Sequence, residues 1–184
     1  QETCPDCTVD VRWIFTWHDP ILEQEAAKSL FDGGAQVVMT GADTPAPADA
    51  APEGKWGITY DYRDNCTVDA CLTSMYWNWG PVYAEIVEGS RDGSWVGGWQ
   101  YFDADVDGMG LLGFMEGDEP RPGFEGLPEE DMQLISDTLA QMLAGDRWRD
   151  NGQTVQPMGT PHCRTEATAA SYHRFRHQPR GRTR

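Results

Sequence analysis

The run "VRWIFTWHDPILEQEAAKSLFDGGAQVV" sets a β-rich heptapeptide, a capped helix and a short apolar strand end to end. Asp19 stands in the N-cap position, Pro20 takes the first helical position where its missing N–H is no loss, and Gly33-Gly34 ends the helix. Leu22, Ala26, Ala27 and Leu30 fall on one face and form the expected buried stripe. "QVVMT" (36–40) is short and apolar enough for a buried strand. Strand, crossover helix and strand make a βαβ unit, which predicts an α/β fold with a mostly parallel sheet and helices packed on both faces.

The alternation continues. "PADAAPEG" reads as a broken helix or loop, "KWGITY" (55–60) as a strand and "CLTSMYW" (71–77) as another. A helix over 80–93 starts with Pro81 and ends at Gly93, and a second over 128–146 carries Glu129, Glu130 and Asp131 at its positive end. Between them, "SWVGGWQYFDADVDGMGLLGF" is Gly-rich with short strand-like pieces. No run of about 18 apolar residues, the length of a membrane-spanning helix, occurs.

The charge is unevenly distributed. Residues 1–146 hold six Lys/Arg against 28 Asp/Glu, while 147–184 hold eight Arg against two acids, within a net charge of -16. The acidic body is unsuited to phosphate backbones, so nucleic acid is not an expected partner. The tail "HCRTEATAASYHRFRHQPRGRTR" lacks apolar periodicity and is expected to be disordered. Five cysteines (4, 7, 66, 71 and 163) cannot all pair within one molecule. Cys4-Pro-Asp-Cys7 has the spacing of half a zinc knuckle or a redox pair. Cys66 and Cys71 bracket "TVDA" and are a disulfide candidate that suits an extracytoplasmic compartment, with free thiols and zinc as the alternatives.

In order along the chain, "WIFTWHDPILEQEAAKSLFDGGAQVV", "KWGITYD", "LTSMYWNWGPVYAEIVEGSRDGSW", "GLLGF" and "LPEEDMQLISDTLAQMLAGD" resemble the C-terminal lobe of the basic membrane protein (BMP, PnrA-like) family. Those are substrate-binding lipoproteins of bacterial ABC transporters with a type I periplasmic-binding-protein fold, and they bring purine nucleosides or related compounds to a membrane permease. The resemblance implies a ligand-binding lobe over 10–152, an extension over 1–9 and a divergent basic tail over 153–184. It also implies an extracytoplasmic location, no catalysis and no cofactor. The expected partners are a purine-type ligand, the ABC permease and the family's N-terminal lobe. That first lobe and the lipid-carrying cysteine are expected to be missing, with Cys4 and Cys7 not the anchor, and a shifted reading frame or a misannotated gene end is the expected origin of the tail.

Ligands of doubly wound sheets bind beyond the carboxyl ends of the strands. The residues there are Trp17 after the first strand, Asp43 and Thr44 after the second, Asp61 after the third, and Trp77 and Asn78 after the fourth. Indoles supply π-faces for a flat heteroaromatic ligand, and carboxylates accept its N–H or hydroxyl protons. By resemblance, Trp17 falls where nucleoside-binding relatives stack an aromatic on the base, and Asp61 in "TYD" matches the strand end that holds the ligand's polar edge. Trp77 stands where those relatives carry a sugar-contacting lysine, which favours a free purine base. The competing roles are core packing for Trp17 and turn chemistry for Asp43, Thr44 and Asp61. Trp79 is expected to pack under the helix that follows it.

Two other function classes remain open on the sequence. "DADVDGMGLLGF" places Asp103, Asp105 and Asp107 at positions one, three and five of an EF-hand-type calcium loop and Gly108 at six, but Phe114 occupies position twelve where a bidentate Glu belongs. A secreted hydrolase could use a carboxylate pair such as Asp61 and Asp64, although no nucleophile-elbow, zincin or phosphate-loop motif accompanies it.

Overall fold

A computed structural model describes residues 4–98, 102, 104–144, 148–150 and 153–155, the side chains of Asp105 and of the last two segments excepted. Strands β1 (Val37–Met39), β2 (Trp56–Asp61), β3 (Cys71–Trp77) and β4 (Met109–Leu111) form one sheet in that order. The β1–β2 and β2–β3 pairs are parallel, which gives the mixed α/β, mostly parallel architecture expected. β4 departs from it by running antiparallel to β3. An antiparallel edge strand on a parallel sheet is common, and here Gly110 permits it, because a Cβ on Gly110 would lie 2.5 Å from the Tyr76 ring. A separate hairpin joins β5 (Trp148–Asp150) to β6 (Gln153–Val155), which lies just past residue 152. Residues 156–184, with Cys163 and most of the Arg/His tail, lie outside the described residues.

Among the described residues four α-helices accompany the strands: α1 (Pro20–Asp32), α2 (Ala46–Asp49), α3 (Trp79–Asp92) and α4 (Glu129–Leu143). α1 begins as its sequence dictates, with the Asp19 carboxylate accepting the N–H groups of Ile21 and Leu22. α3 ends at Gly93 in the left-handed conformation (φ 81°), where a side chain would be strained. Ala27 and Phe31 of α1 pack on Val38 of β1, with Ala50 and Ala51 beside them. Phe31 alone contributes roughly 1.5–3 kcal/mol by leaving water. α2 approaches β2 so closely that a Cβ on Gly57 would overlap the Ala48 backbone.

Two expectations are corrected. The buried residues of α1 are Glu23, Ala27 and Phe31, so the stripe is rotated from the one drawn through Leu22, Ala26 and Leu30. The cause is polar: Glu23 is drawn inward by partners described below, while Leu22 stays 39% exposed. Residues 11–17 form no strand. Phe15 adopts φ 55°, which interrupts the extended run, and the Trp17 carbonyl is taken by the Asp43 N–H at 2.8 Å. β-propensity expresses itself only against a neighbouring strand, and among the described residues none pairs with this segment.

Candidate ligand-binding site

The carboxyl ends of β1, β2 and β3 lie side by side, so the loops that follow them share one end of the sheet. Asp43 lies on the first loop, partly exposed, with its N–H on the Trp17 carbonyl. That bond ties the backbone of Trp17 to the loop, while the indole itself is largely exposed. Asn65, at the end of a 3₁₀ turn (Arg63–Asn65), donates from Nδ2 to the Asp43 carbonyl at 3.3 Å and to the Tyr60 carbonyl at 3.1 Å. One amide thereby bridges the loop after β1 and the end of β2. The sequence offers no signal for Asn65 beyond its place beside Cys66.

Asp61 occupies the tightest part of the site. Its φ is 74°, and the Tyr62 N–H reaches the Tyr60 carbonyl at 3.0 Å, so the three residues form a γ-turn of the strained kind. Such backbone costs about 1–3 kcal/mol and persists where the surroundings over-determine it. Here Ser74, fully buried in β3, donates its hydroxyl to the Tyr62 carbonyl at 3.1 Å, and Asn65 holds the Tyr60 carbonyl. The turn bends the chain at Asp61, the last rung of the ladder, where it pairs with Tyr76, and leaves the residue partly exposed.

An aromatic row runs from the end of β2 across β3 into α3. Tyr60 and Trp77 meet edge to face with centroids 6.4 Å apart, and the Trp77 Nε1–H donates to the Tyr60 hydroxyl at 3.2 Å. Trp79 lies 6.2 Å from Trp77 and stacks on Tyr83 at 5.8 Å with an interplanar angle of 18°. Trp79 therefore does not pack under α3, because it sits in the helix's first turn and is half exposed. Tyr60 and Tyr83 belong to this row and were not among the residues expected from sequence. Period-2 placement of Tyr60 beside Ile58 carries the signal for the first, and the i, i+4 spacing of Trp79 and Tyr83 for the second. Asn78 donates its N–H to the Gly108 carbonyl at 2.9 Å, and its side chain makes no capping bond although it stands at the start of α3.

Thr44 is placed differently from the rest. It is buried, its hydroxyl donates to Glu23 Oε2 at 2.8 Å, and the Thr44 Oγ1 in turn accepts the Ala46 N–H at 3.3 Å. That arrangement holds the loop in which Asp43 sits.

Two disulfides close short loops, Cys4–Cys7 and Cys66–Cys71, with Cα atoms 5.3 and 5.4 Å apart. The second is buried at the foot of β3, and Arg121 clasps the loop it closes by donating to the carbonyls of Val68 (2.8 Å) and Cys71 (3.4 Å). Of the calcium candidates, Asp103 and the Asp105 side chain lie outside the described residues, and Asp107 is an exposed turn residue at φ 56°. Among the described residues no group of three His, Cys, Asp or Glu could hold a metal ion, and no helix is long and apolar enough to cross a membrane.

The site is thus an open shelf of carboxylates and aromatic faces. A groove of about 400 Å³ lies elsewhere, along α4, lined by Leu111, Leu134, Ile135, Leu139 and Met142.

Residues 1–131 match the family described as Bmp, ABC transporter substrate-binding protein PnrA-like. A purine-binding protein of Brucella abortus is 27% identical over 149 residues, 79% of this chain and 39% of the relative. A Haloferax volcanii protein named as a candidate ABC transporter glucose-binding protein is 34% identical over 93 residues, 50% of this chain and 24% of the relative. The fold is similar to that of an ABC transporter solute-binding protein from Conexibacter woesei (TM-score 0.57, 19% identity, 80% of this chain and 48% of that one). It is equally similar to that of a transcriptional activator of the comK gene from Bacillus halodurans (TM-score 0.59, 18% identity, 78% of this chain and 47% of that one). The chain thus spans between about a quarter and about half the length of these relatives. With its mostly parallel sheet, its polar strand ends and the match over residues 1–131, the chain belongs to the Bmp family of PnrA-like ABC transporter substrate-binding proteins.

Proposed function

We propose that the strand-end shelf binds a purine-type ligand, a free base in preference to a nucleoside, for delivery to an ABC permease. The observation that carries this reading is the juxtaposition of the strained Asp61 turn with the Tyr60–Trp77 pair. A carboxylate accepts the N–H groups of a base edge, and an indole face beside it stacks on the ring. The purine-binding name of the Brucella abortus relative supports the same ligand class. Trp17, Asp43, Asp61, Trp77 and Asn78 are the contacting residues, and Thr44 acts through the loop it holds. Binding proteins of this kind close two lobes on the ligand through a hinge, so the shelf is half of a clamp and its own affinity is weak. The reading also places the protein outside the cytoplasm, where the two disulfides are stable.

The Haloferax volcanii relative favours a second reading, a hexose stacked on the exposed Trp79–Tyr83 face. Titration of the full chain with adenine, guanosine, glucose and calcium in turn, followed by calorimetry and tryptophan fluorescence, separates the cases. Weak heat with adenine and a smaller one with guanosine is the expected result. Heat with glucose alone moves the assignment to the hexose, heat with calcium alone to a metal-binding module, and silence to all four removes the purine reading.

A further inference from the structure

Asn65 joins the two carboxylate-bearing segments of the shelf although it faces no ligand itself. Its two amide protons go to Asp43 O and Tyr60 O, and its own N–H goes to Tyr62 O at 3.1 Å. The Asp61 turn lies between Tyr60 and Tyr62, so Asn65 grips the backbone on both sides of it. What seats Asn65 is its neighbour: Cys66 is buried and bonded to Cys71, the first residue of β3, and Arg121 pins the intervening loop from outside.

We propose that Asn65, seated by the Cys66–Cys71 disulfide, is the positioning residue that fixes Asp43 and Asp61 relative to each other. The inference rests on the proposed ligand shelf, and it adds the part that sets the shelf's geometry. A side-chain amide suits the task because it offers two donors to two carbonyl acceptors and carries no charge. Aspartate of the same shape would face those carbonyls with acceptors alone. Alanine would leave both carbonyls to water and loosen the turn, whose φ of 74° is strained backbone held by its surroundings.

The test uses the full chain with its disulfides formed, and compares N65A, N65D and C66A/C71A with the parent. Hydrogen exchange at the Tyr62 amide, which closes the turn, needs no ligand. It is expected to accelerate about tenfold or more in N65A and N65D, and to a smaller degree in C66A/C71A, as one hydrogen-bond partner is lost. Adenine affinity, read by calorimetry, is expected to fall about tenfold in N65A. In a D61A background the same change should have little further effect, because Asn65 acts through Asp61. Unchanged Tyr62 exchange in both Asn65 variants would overturn the proposal, whether or not adenine binds the parent. So would a lowered melting temperature with adenine affinity intact, or losses in N65A and D61A that simply add. Should adenine fail to bind the parent, the purine reading falls by itself, and the Tyr62 exchange still decides the role of Asn65.

Discussion

Thr44 and Glu23 meet across 21 residues of chain, the threonine hydroxyl donating to Oε2 at 2.8 Å while both side chains are buried. The other carboxylate oxygen, Oε1, accepts the Asp19 N–H at 3.2 Å, so Glu23 links the start of α1 to the loop after β1. A carboxylate only 4% exposed depends on every such partner. T44V, nearly the same shape without the hydroxyl, is expected to destabilise the protein by about 2 kcal/mol and to lower the melting temperature by ~4–8 °C. T44S should recover most of the loss. A calorimetric melt of the three proteins checks this, and a T44V midpoint equal to the parent's would show that Glu23 finds another partner.

Asp61 predicts a trade between stability and binding. Glycine adopts the φ of 74° freely, so D61G is expected to stabilise the fold by about 1 kcal/mol in urea unfolding. The same variant loses the carboxylate and, on the proposed function, purine binding. D61N keeps a residue tolerant of positive φ and removes only the charge, so it should bind weakly with stability close to the parent's. A D61G protein less stable than the parent would mean that the carboxylate contributes more to the fold than the turn strains it.

Much of this site is legible from the sequence because its parts announce themselves locally. Asp19-Pro20 marks a helix start, Gly93 a helix end, and "CLTSMYW" a strand whose bounds the structure reproduces. The strand-end rule then places Asp43, Asp61, Trp77 and Asn78 at one end of the sheet. What escaped the sequence is nonlocal. Glu23 turns inward because Thr44 waits 21 residues on, and Asn65 matters because two carbonyls from different segments converge on it. The strand at 11–17 failed for the same reason in reverse, since its own pattern is β-like but a ladder needs a second strand.

Asp118 makes acid stability testable. Burial would raise its pKa, but the Arg63 guanidinium at 2.6 Å and the N–H groups of Gly113 and Met115 outweigh that and hold the carboxyl below its ordinary value of 3.8. A carboxyl depressed in the fold stabilises it at every pH above the unfolded value, and the contribution disappears as pH falls through the folded value. The urea midpoint is therefore expected to stay level from this pair down to about pH 4 and to drop below it. Because Arg63 is 45% exposed, the effect should be small and salt-sensitive. D118N should flatten that acid limb. An unchanged limb in D118N would assign it to other carboxylates.

The exposed residues of the segment before α1 predict self-association. Val9, Val11, Trp13, Phe15 and Trp17 alternate along it, and Trp13 and Phe15 are 77% and 93% exposed. The outer edge of β1 is also unpaired among the described residues: the bonds to β2 run through Gln36 and Thr40, so Val37 and Met39 present their N–H and C=O groups outward. An open strand edge and an exposed apolar strip are both surfaces through which copies of a chain associate. The net charge of -16 opposes contact between copies, and salt screens that repulsion while leaving the apolar attraction in place. Sedimentation velocity of the full chain should therefore show a concentration-dependent larger species that grows between low salt and about 0.5 M salt, where the Debye length shrinks to a few ångströms. W13S/F15S removes the two most exposed rings without touching the sheet, and is expected to leave a monomer at both salt levels with an unchanged melting temperature. Association that survives the double substitution, or that weakens as salt is added, would move the contact to another surface.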